Sequence, residues 1–268
     1  MVRQLTETDF KEMMNLLTID PIVNCYIISD LQNIGFGESY VTFHGLFKED
    51  KLYSILMVYD TYGMVFSVDN VFDEAFIEII DNAPIKTLSG QDRTIRTLHN
   101  HYSNYPINPM TLACLDKTND CISHSHVRKI NTNAELEQLY YLLKDIEEFN
   151  VKTQTKEEFI REKINLNLNG SIYAIYVENQ IVASASVISE TKTHAVINGV
   201  ATHINHRKKG YANDLVDQII YDYICKKNMG LILYYDNPNA QKIYKRKGFI
   251  DVNIWSSIKL YDKYSSNI

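Results

Sequence analysis

One order of strands and helices occurs twice along this chain of 268 residues. Apolar residues recur with strand and helix periodicity in the order β-α-α-β-β-β-α-β-α-β, first over residues 2–116 and again over 126–261. A repeated order favours two copies of one compact unit, and each copy is long enough to bury its own core. The sequence therefore predicts an α/β (α+β) protein with two mixed-sheet domains in tandem, joined near residues 117–127.

Helix and strand signals support this order in both halves. In the second half, Asn133, Thr155 with Glu158, and Asn237 with Pro238 mark helix starts. The strands predicted there cover residues 126–131, 171–177, 181–189, 194–202, 231–235 and 249–261. Those predicted in the first half cover residues 2–5, 40–47, 52–59, 64–68, 85–88 and 109–116. The helices of the first half are predicted at 8–18, 21–34, 73–81 and 91–99.

Composition and charge exclude several classes of protein. Apolar residues make up 45% of the chain and charged residues 22%, as in globular proteins with a buried core. The net charge of −6 argues against a nucleic-acid-binding surface. No apolar run is long enough to span a membrane. The four cysteines are sparse and the first residues lack a signal-peptide pattern, so we expect reduced cysteines and a cytoplasmic location.

The segment VATHINHRKKGYA, residues 200–212, is the strongest candidate for a ligand site. It joins a predicted strand to a predicted helix, whose first N–H groups lack acceptors within the helix. Arg207, Lys208 and Lys209 add positive charge, and Gly210 permits close approach of a ligand. The pattern predicts a phosphate or pyrophosphate site, although a plain βα turn in which glycine only relieves strain has the same sequence.

A second segment, NPNAQKIYKRKGF at residues 237–249, follows that helix and one more strand. Asn237 fits a helix cap, and Ala240, Ile243 and Tyr244 fall on one helix face. Capping and core packing explain each of these residues alone. Because this segment follows the candidate anion loop by about thirty residues, the two segments together favour one shared ligand site over separate structural roles.

Together, the two segments resemble motifs of the GNAT N-acetyltransferase superfamily. The R/Q-x-x-G-x-G/A acyl-CoA loop of that family is matched by Arg207, Gly210 and Ala212. Its N-x-x-A-x-x-x-Y-x-x-x-G-F run is matched by Asn237, Ala240, Tyr244, Gly248 and Phe249. The predicted element order is also that of the family. The resemblance implies a bacterial tandem-GNAT acetyltransferase, with a degenerate first domain at 1–120 and a catalytic domain at 126–268.

The resemblance also implies an acetyl-CoA site. Backbone groups of Val200, Ala201 and Thr202 would pair with the pantetheine arm. Asn237 would contact the same arm, and Tyr244 would face the sulfur as proton donor. The pyrophosphate would lie on the loop that Arg207 opens, on the backbone amides of Lys208, Lys209, Gly210, Tyr211, Ala212 and Asn213.

The implied reaction is direct transfer of an acetyl group from acetyl-CoA to a primary amine, either of a small molecule or of a peptide N-terminus or lysine. A general base is not evident from the sequence. Glu148, with its neighbour Glu147, is the candidate, although both also fit a solvent-facing helix end. His203 lies nearer the loop, but a lone histidine after a strand is more often structural.

The first half departs from the family pattern. Its loop after the strand at 64–68 reads Asp69-Asn70-Val71-Phe72-Asp73-Glu74, which is acidic and contains no glycine. The second motif has no counterpart there. We therefore expect no acyl-CoA site in this copy, which would support the fold and form one wall of the acceptor pocket.

Two other functions stay open at this point. A CoA-responsive regulatory module without catalysis would share the donor site, although the presence of Tyr244 favours an enzyme. Transfer from aminoacyl-tRNA would need a helical arm or a broad basic face, and the sequence shows neither. Cys114, Cys121, His124 and His126 lack a familiar metal-binding spacing, so we expect no metal. Neither the acceptor nor the oligomeric state follows from the sequence.

Overall fold

The computed structural model describes residues 1–260 apart from 147, 148, 150, 152, 153 and 169. The chain forms two compact units. The first unit comprises Met1–Leu112 together with the segment that begins at Asp251, and the second unit comprises Ala113–Ile250. Among the described helices, none combines the length and apolar character that crossing a bilayer requires.

The first unit is a mixed sheet with short helices. Its strands are β1 (Val2–Gln4), β2 (Val41–Lys48), β3 (Lys51–Tyr59), β4 (Tyr62–Ser67), β5 (Thr87–Gln91), most of β6 (Ile107–Leu115) and β12 (Ile250–Lys259). Its α-helices are α1 (Phe10–Leu17), α2 (Cys25–Asn33), α3 (Ile77–Asn82) and α4 (Asp92–Leu98). Strands β1 to β4 pair antiparallel in sequence order, and β4 pairs parallel with β5.

The second unit repeats this pattern. Its strands are β7 (Val127–Lys129), β8 (Ser171–Val177), β9 (Gln180–Ile188), β10 (His194–Thr202) and β11 (Gly230–Tyr235). Its helices are α5 (Asn133–Lys144), α6 (Lys156–Leu168), α7 (Tyr211–Ile220), continued by a π-helical segment (Tyr221–Lys226), and α8 (Pro238–Arg246). Strands β7 to β10 pair antiparallel, and β10 pairs parallel with β11. The predicted duplication is confirmed at the level of strand pairing.

Helix α7 packs on the sheet of the second unit. This packing holds the first turn of α7 beside the end of β10. Its apolar stripe, including Leu215, Val216 and Ile219, is fully buried against the sheet. Val200 and Tyr211 pack on the same cluster. Spacing of the stripe at i, i+1 and i+4 is that of one helix face, which is why the sequence predicts this helix well.

Most helix starts agree with the sequence. Thr155 and Glu158 form the predicted capping box, with the Glu158 N–H donating to Thr155 Oγ1 at 3.2 Å and the Thr155 N–H to Glu158 Oε2 at 2.9 Å. Helix α5 is capped by Thr132 rather than by Asn133, because Glu135 completes a capping box with Thr132. Helix α2 begins at Cys25, later than predicted, after a turn that starts at Pro21.

The last strand belongs to the first unit. The predicted second domain, 126–268, includes this strand, whereas β12 pairs antiparallel with β5, from Trp255 opposite Gln91 to Lys259 opposite Thr87. Ile258 and Leu260 are buried in the core of the first unit. Apolar alternation shows that residues 249–261 form a strand, but it does not show which edge accepts that strand.

The prediction of reduced cysteines is wrong for one pair. Cys121 and Cys225 form a disulfide within the second unit, while Cys25 and Cys114 are buried and take no part in that disulfide. The two bonded cysteines are 104 residues apart, so their spacing in the sequence does not reveal their proximity. The argument for a reducing, cytoplasmic compartment loses the support of these two cysteines.

Asp9 is expected to stabilise the first unit in a pH-dependent way. Arg3 donates two hydrogen bonds to its carboxylate, at 2.6 and 2.8 Å, and the Thr6 N–H donates a third at 2.9 Å. The Arg3 bonds are the main cause that lowers the pKa of Asp9 to about 2. We expect Asp9→Asn to lower the free energy of unfolding by about 1–2 kcal/mol at pH 7, allowing for the exposure of Arg3.

The pH dependence follows from the direction of this shift. Because folding lowers the pKa of Asp9 from its ordinary value of 3.8 to about 2, its contribution is complete above about pH 5 and is lost progressively as the pH falls through 3.8 toward 2. Urea unfolding at several pH values should show the difference between wild type and Asp9→Asn shrinking over that interval. Asp120→Asn, at an exposed position, is the control and should show no such change. A difference that does not vary with pH would contradict the role of Asp9.

Candidate functional site

Strand β10 separates from its parallel neighbour half-way along its length. Pairing with β11 runs from His194 opposite Gly230 to Ile197 opposite Leu233 and goes no further among the described residues. On the other side, the pairing with β9 shifts register between Asn198 and Ala201, which is a β-bulge. Gly199 lies in this bulge with φ +64°, a conformation that favours glycine.

The free edge of β10 can accept an extended ligand. The N–H and C=O groups of a strand edge without a neighbour are available to pair with another extended chain. The bulge coincides with the point where the described pairing with β11 ends, so that residues 198–202 lie along this open edge. Val200, Ala201 and Thr202, the residues predicted to pair with a pantetheine arm, are the last three of the strand.

The loop after β10 presents unused backbone N–H groups. Lys208 has φ +64° and Gly210 has φ +90°, so left-handed residues flank Lys209 just before α7. Within the described part of the chain, no acceptor lies within hydrogen-bonding distance of the backbone N–H groups of Lys208, Lys209, Gly210, Tyr211 and Ala212. Alternating backbone conformations of this kind gather N–H groups into an anion-binding concavity, and the start of α7 adds the positive end of its dipole.

Two predicted members of this loop use their groups within the protein. The Asn213 N–H donates to the Gly210 carbonyl at 2.8 Å, as the first turn of α7 requires. Arg207 donates through Nε to the Thr202 carbonyl at 3.2 Å. Arg207 therefore ties the loop to the end of β10, which fits a positioning role better than direct contact with an anion.

Lys208 and Lys209 add to the positive charge of Arg207 at the loop. Both are exposed, and neither has a carboxylate within 4.0 Å among the residues that the structure describes. Lys209 Nζ lies 3.5 Å from His206 Nδ1. Lys226, Lys227 and Lys247, by contrast, form ion pairs with Asp222, Glu190 and Asp217. Two lysines without a carboxylate partner among the described residues thus lie at the loop whose backbone N–H groups are open.

Asn237 and Tyr244 are carried by α8. Asn237 caps the helix, with its side-chain oxygen accepting from the Asn239 N–H at 2.8 Å, and its side-chain NH₂ can donate to a ligand. Tyr244 is 7% exposed, and its ring lies 5.8 Å from the rings of both Tyr235 and Phe249. Burial raises the pKa of Tyr244 to about 12, so the hydroxyl is protonated at neutral pH.

The corresponding loop of the first unit is closed. After β4, the Val71 N–H donates to Asp69 at 3.1 Å, the Phe72 N–H to Thr97 at 2.9 Å, and the Ala75 N–H to Asp73 at 3.1 Å. Side chains of the loop and Thr97 of α4 thus occupy these N–H groups, and the carboxylates of the loop would repel an anion. The same strand pattern is therefore followed by a loop with open N–H groups in the second unit and by a loop with occupied N–H groups in the first.

The family comparison agrees with this location. Residues 136–249 match the Acetyltransferase (GNAT) family. The second unit carries a GNAT-family domain. The matched segment contains β8 to β11, the open loop and α8. No curated protein sequence is similar enough to the chain to be a relative.

Solved structures extend the GNAT fold over both units. A GCN5-related N-acetyltransferase from Sphaerobacter thermophilus has a TM-score of 0.64 at 11% identity, over 96% of this chain and 94% of that one. A tandem GNAT protein from the clavulanic acid biosynthesis pathway has a TM-score of 0.62 at 11% identity, over 96% and 97%. A GCN5-related N-acetyltransferase-like protein from Streptococcus suis has a TM-score of 0.60 at 14% identity, over 95% and 99%. The predicted tandem-GNAT fold is confirmed.

The structure brings some of the predicted site residues together and gives others a structural role. Val200, Tyr211 and Tyr244 pack on one core cluster of the second unit, so the open edge, the loop and α8 meet there. Glu147 and Glu148 lie outside the described residues. His203 caps a 3₁₀ turn by accepting from the Asn205 N–H, which is a structural role. Sequence reasoning missed Gly199, although a glycine inside a strand pattern is the usual signal of a bulge.

Proposed function

We propose that the protein is an acyl-CoA-dependent N-acyltransferase that transfers an acetyl group from acetyl-CoA to a primary amine. The observation that carries this proposal is the continuity of the free edge of β10 with the open, cationic N–H loop at the start of α7. An extended amide-containing arm that ends in a pyrophosphate, as in acetyl-CoA, is complementary to both features. GNAT acetyltransferases use this donor.

The residues have distinct parts in this proposal. The backbone of Val200, Ala201 and Thr202 pairs with the pantetheine arm and supplies an N–H donor to the developing oxyanion. Lys208, Lys209, Gly210, Tyr211 and Ala212 hold the pyrophosphate through their N–H groups, whereas Asn213 serves the helix. Asn237 reaches the arm through its side-chain NH₂.

Tyr244 serves the leaving sulfur as a hydrogen-bond donor. The amine nitrogen forms a bond to the acyl carbon, the carbon–sulfur bond breaks, and negative charge moves to sulfur. A tyrosine pKa of about 12 lies well above that of a thiol, so complete proton transfer would be uphill by about 5 kcal/mol. Tyr244 therefore stabilises the developing thiolate without becoming a free phenolate, and solvent protonates the released thiolate.

The amine must lose a proton before or during the attack, since a free ammonium has no lone pair. Glu148 is our proposal for the general base. It directly precedes Phe149, whose ring would lie 3.7 Å from a Cβ at Gly199 in the bulge. We expect Glu148→Gln to lower kcat and to remove the acidic limb of its pH profile. An unchanged profile would exclude this residue as the base.

A thiol-release assay tests the proposed reaction. Purified protein and acetyl-CoA are mixed with a panel of small amines, polyamines and peptides, and free CoA thiol is measured together with the acetylated product. The matched control for each active amine is its N,N-dimethyl counterpart, which cannot form the neutral amide. The proposal expects release with at least one primary amine and none with its control. If the protein binds acetyl-CoA but releases no CoA thiol with any amine of the panel, the proposal of an enzyme is wrong and a CoA-responsive binding module is favoured.

A further inference from the structure

We infer that the second unit holds a divalent transition-metal site formed by His124, His126 and Asp214. The three side chains each offer one ligand atom, and these atoms all lie within 4.8 Å of one another. This site is distinct from the proposed transfer chemistry, and neither the thioester nor the amine needs it. The sequence spacing gave no sign of it, because Asp214 lies 88 residues after His126.

The ligand atoms lie near the separations that a shared metal ion requires. His126 Nε2 lies 3.0 Å from one oxygen of Asp214, and His124 Nε2 lies 4.0 Å from the other. The two imidazole rings have their centroids 5.4 Å apart. Ligands at about 2.0–2.2 Å from a tetrahedral metal are about 3.3 Å apart, so small rotations of these side chains suffice.

The protein holds the histidine segment in place independently of a metal. Gln218 of α7 accepts hydrogen bonds from the His124 N–H at 2.7 Å and from Ser123 Oγ at 3.1 Å. Upstream, the disulfide fixes Cys121, and downstream Val127 begins β7. The segment is thereby anchored at three points, which lowers the entropy cost of assembling the ligands.

The local excess of negative charge favours binding of a cation. Asp214 and Asp217 lie one turn apart on α7, and Lys247 pairs with Asp217 at 2.5 Å. Asp217 also lies 3.4 Å from His124 Nε2 and is placed to act as a fourth ligand or to orient that ring. With neutral imidazoles the group carries one net negative charge, since two carboxylates face a single lysine. A divalent ion converts this to a net positive charge beside Gly210 and the anion loop.

The ligand types define the class of metal. Two imidazoles and a carboxylate suit zinc and other borderline divalent ions rather than calcium or magnesium, which take oxygen ligands. A second group, Cys114, Asp116 and His194, also converges in this unit. In that group His194 Nε2 lies 2.9 Å from Asp116, which is consistent with an ion pair that only stabilises the fold. A His194→Ala variant distinguishes the two groups.

The test is titration of Zn²⁺ into chelator-treated, non-reduced protein by calorimetry, in parallel with thermal unfolding. His126 is half exposed, so His126→Ala should fold as wild type does in the absence of metal. We expect this variant to bind one zinc equivalent fewer than wild type, or to bind that equivalent about 10–100-fold more weakly. Zinc should then no longer raise its unfolding temperature as it does for the wild type.

The matched control is His101→Ala, which removes the histidine of a two-member pair with Glu74 at 3.2 Å in the first unit. It should bind zinc as wild type does. His194→Ala reports any zinc at the second group and should leave the equivalent at His126 intact. Equal zinc binding by wild type and His126→Ala, or no zinc binding by wild type, would overturn the inference. Neither readout depends on acetyl-CoA or on turnover.

Discussion

Replacing Gly210 by glutamate is expected to weaken acetyl-CoA binding by about 100-fold or more. Gly210 has φ +90°, where any other residue is strained by about 1–3 kcal/mol. The added carboxylate would stand beside the proposed pyrophosphate position, and two like charges about 4 Å apart repel by about 1–4 kcal/mol near a protein surface. Isothermal titration of acetyl-CoA measures the loss, and circular dichroism checks that the variant is folded.

Two control variants separate the causes. A Cβ at Gly210 would have Asp214 Oδ1 at 4.0 Å as its only described neighbour, so Gly210→Ala tests backbone strain without charge or crowding. We expect it to cost no more than about 10-fold in affinity, because backbone strain present in both the free and the bound protein lowers stability rather than affinity. Asn70→Glu places the same charge in the closed loop of the first unit, at a residue with φ +58°, and should leave affinity unchanged. Normal binding by Gly210→Glu would remove the loop from the donor site.

Replacing Tyr244 by phenylalanine is expected to lower kcat by about 100-fold while changing the Kd for acetyl-CoA by no more than a few-fold. The lost group is one hydrogen-bond donor to charge that develops only in the transition state, so ground-state binding is largely unaffected. The ring contacts with Tyr235 and Phe249 persist in the variant, so its stability should be close to wild type. Steady-state kinetics and calorimetry together give the two numbers.

Tyr235→Phe is the matched control for this variant. Tyr235 belongs to the same aromatic cluster, and its hydroxyl lies 3.5 Å from Gln241 Nε2. Removal of that hydroxyl should change kcat by less than about 3-fold, since it has no assigned part in the reaction. Because the pKa of Tyr244 is raised to about 12, wild-type kcat should show no loss from its ionisation below pH 10. Equal losses of kcat and affinity in Tyr244→Phe would assign the residue to binding rather than to the leaving group.

Local signals explain why much of the fold could be predicted from the sequence. The stripe of α7, the capping box of Thr155 and the Asn237-Pro238 start of α8 each depend on residues within one or two turns. The loop before α7 could also be singled out from the sequence as a candidate anion site, because glycine and lysines at a strand-to-helix junction favour anion binding wherever they occur. The structure adds that two left-handed residues, Lys208 and Gly210, shape it.

Long-range pairing explains what the sequence could not give. The partner of β12, the Cys121–Cys225 disulfide and the approach of His124 and His126 to Asp214 all join residues far apart in the chain. Their local sequences fit other partners equally well, so only the assembled fold decides between them. The position of a helix start is also uncertain by a residue when it is predicted from sequence. For Asn213 that single residue decides whether its N–H is open in the loop or bonded within the helix, as the structure shows.

The most direct test of the central claim is the stoichiometry of acetyl-CoA binding to wild-type protein by isothermal titration calorimetry. An open anion loop in the second unit and a closed one in the first predict one site per chain with a micromolar Kd. Binding should weaken with rising salt, because Lys208 and Lys209 contribute charge. Two equivalent sites per chain, or no binding at millimolar acetyl-CoA, would contradict the assignment of the donor site to the β10–α7 loop.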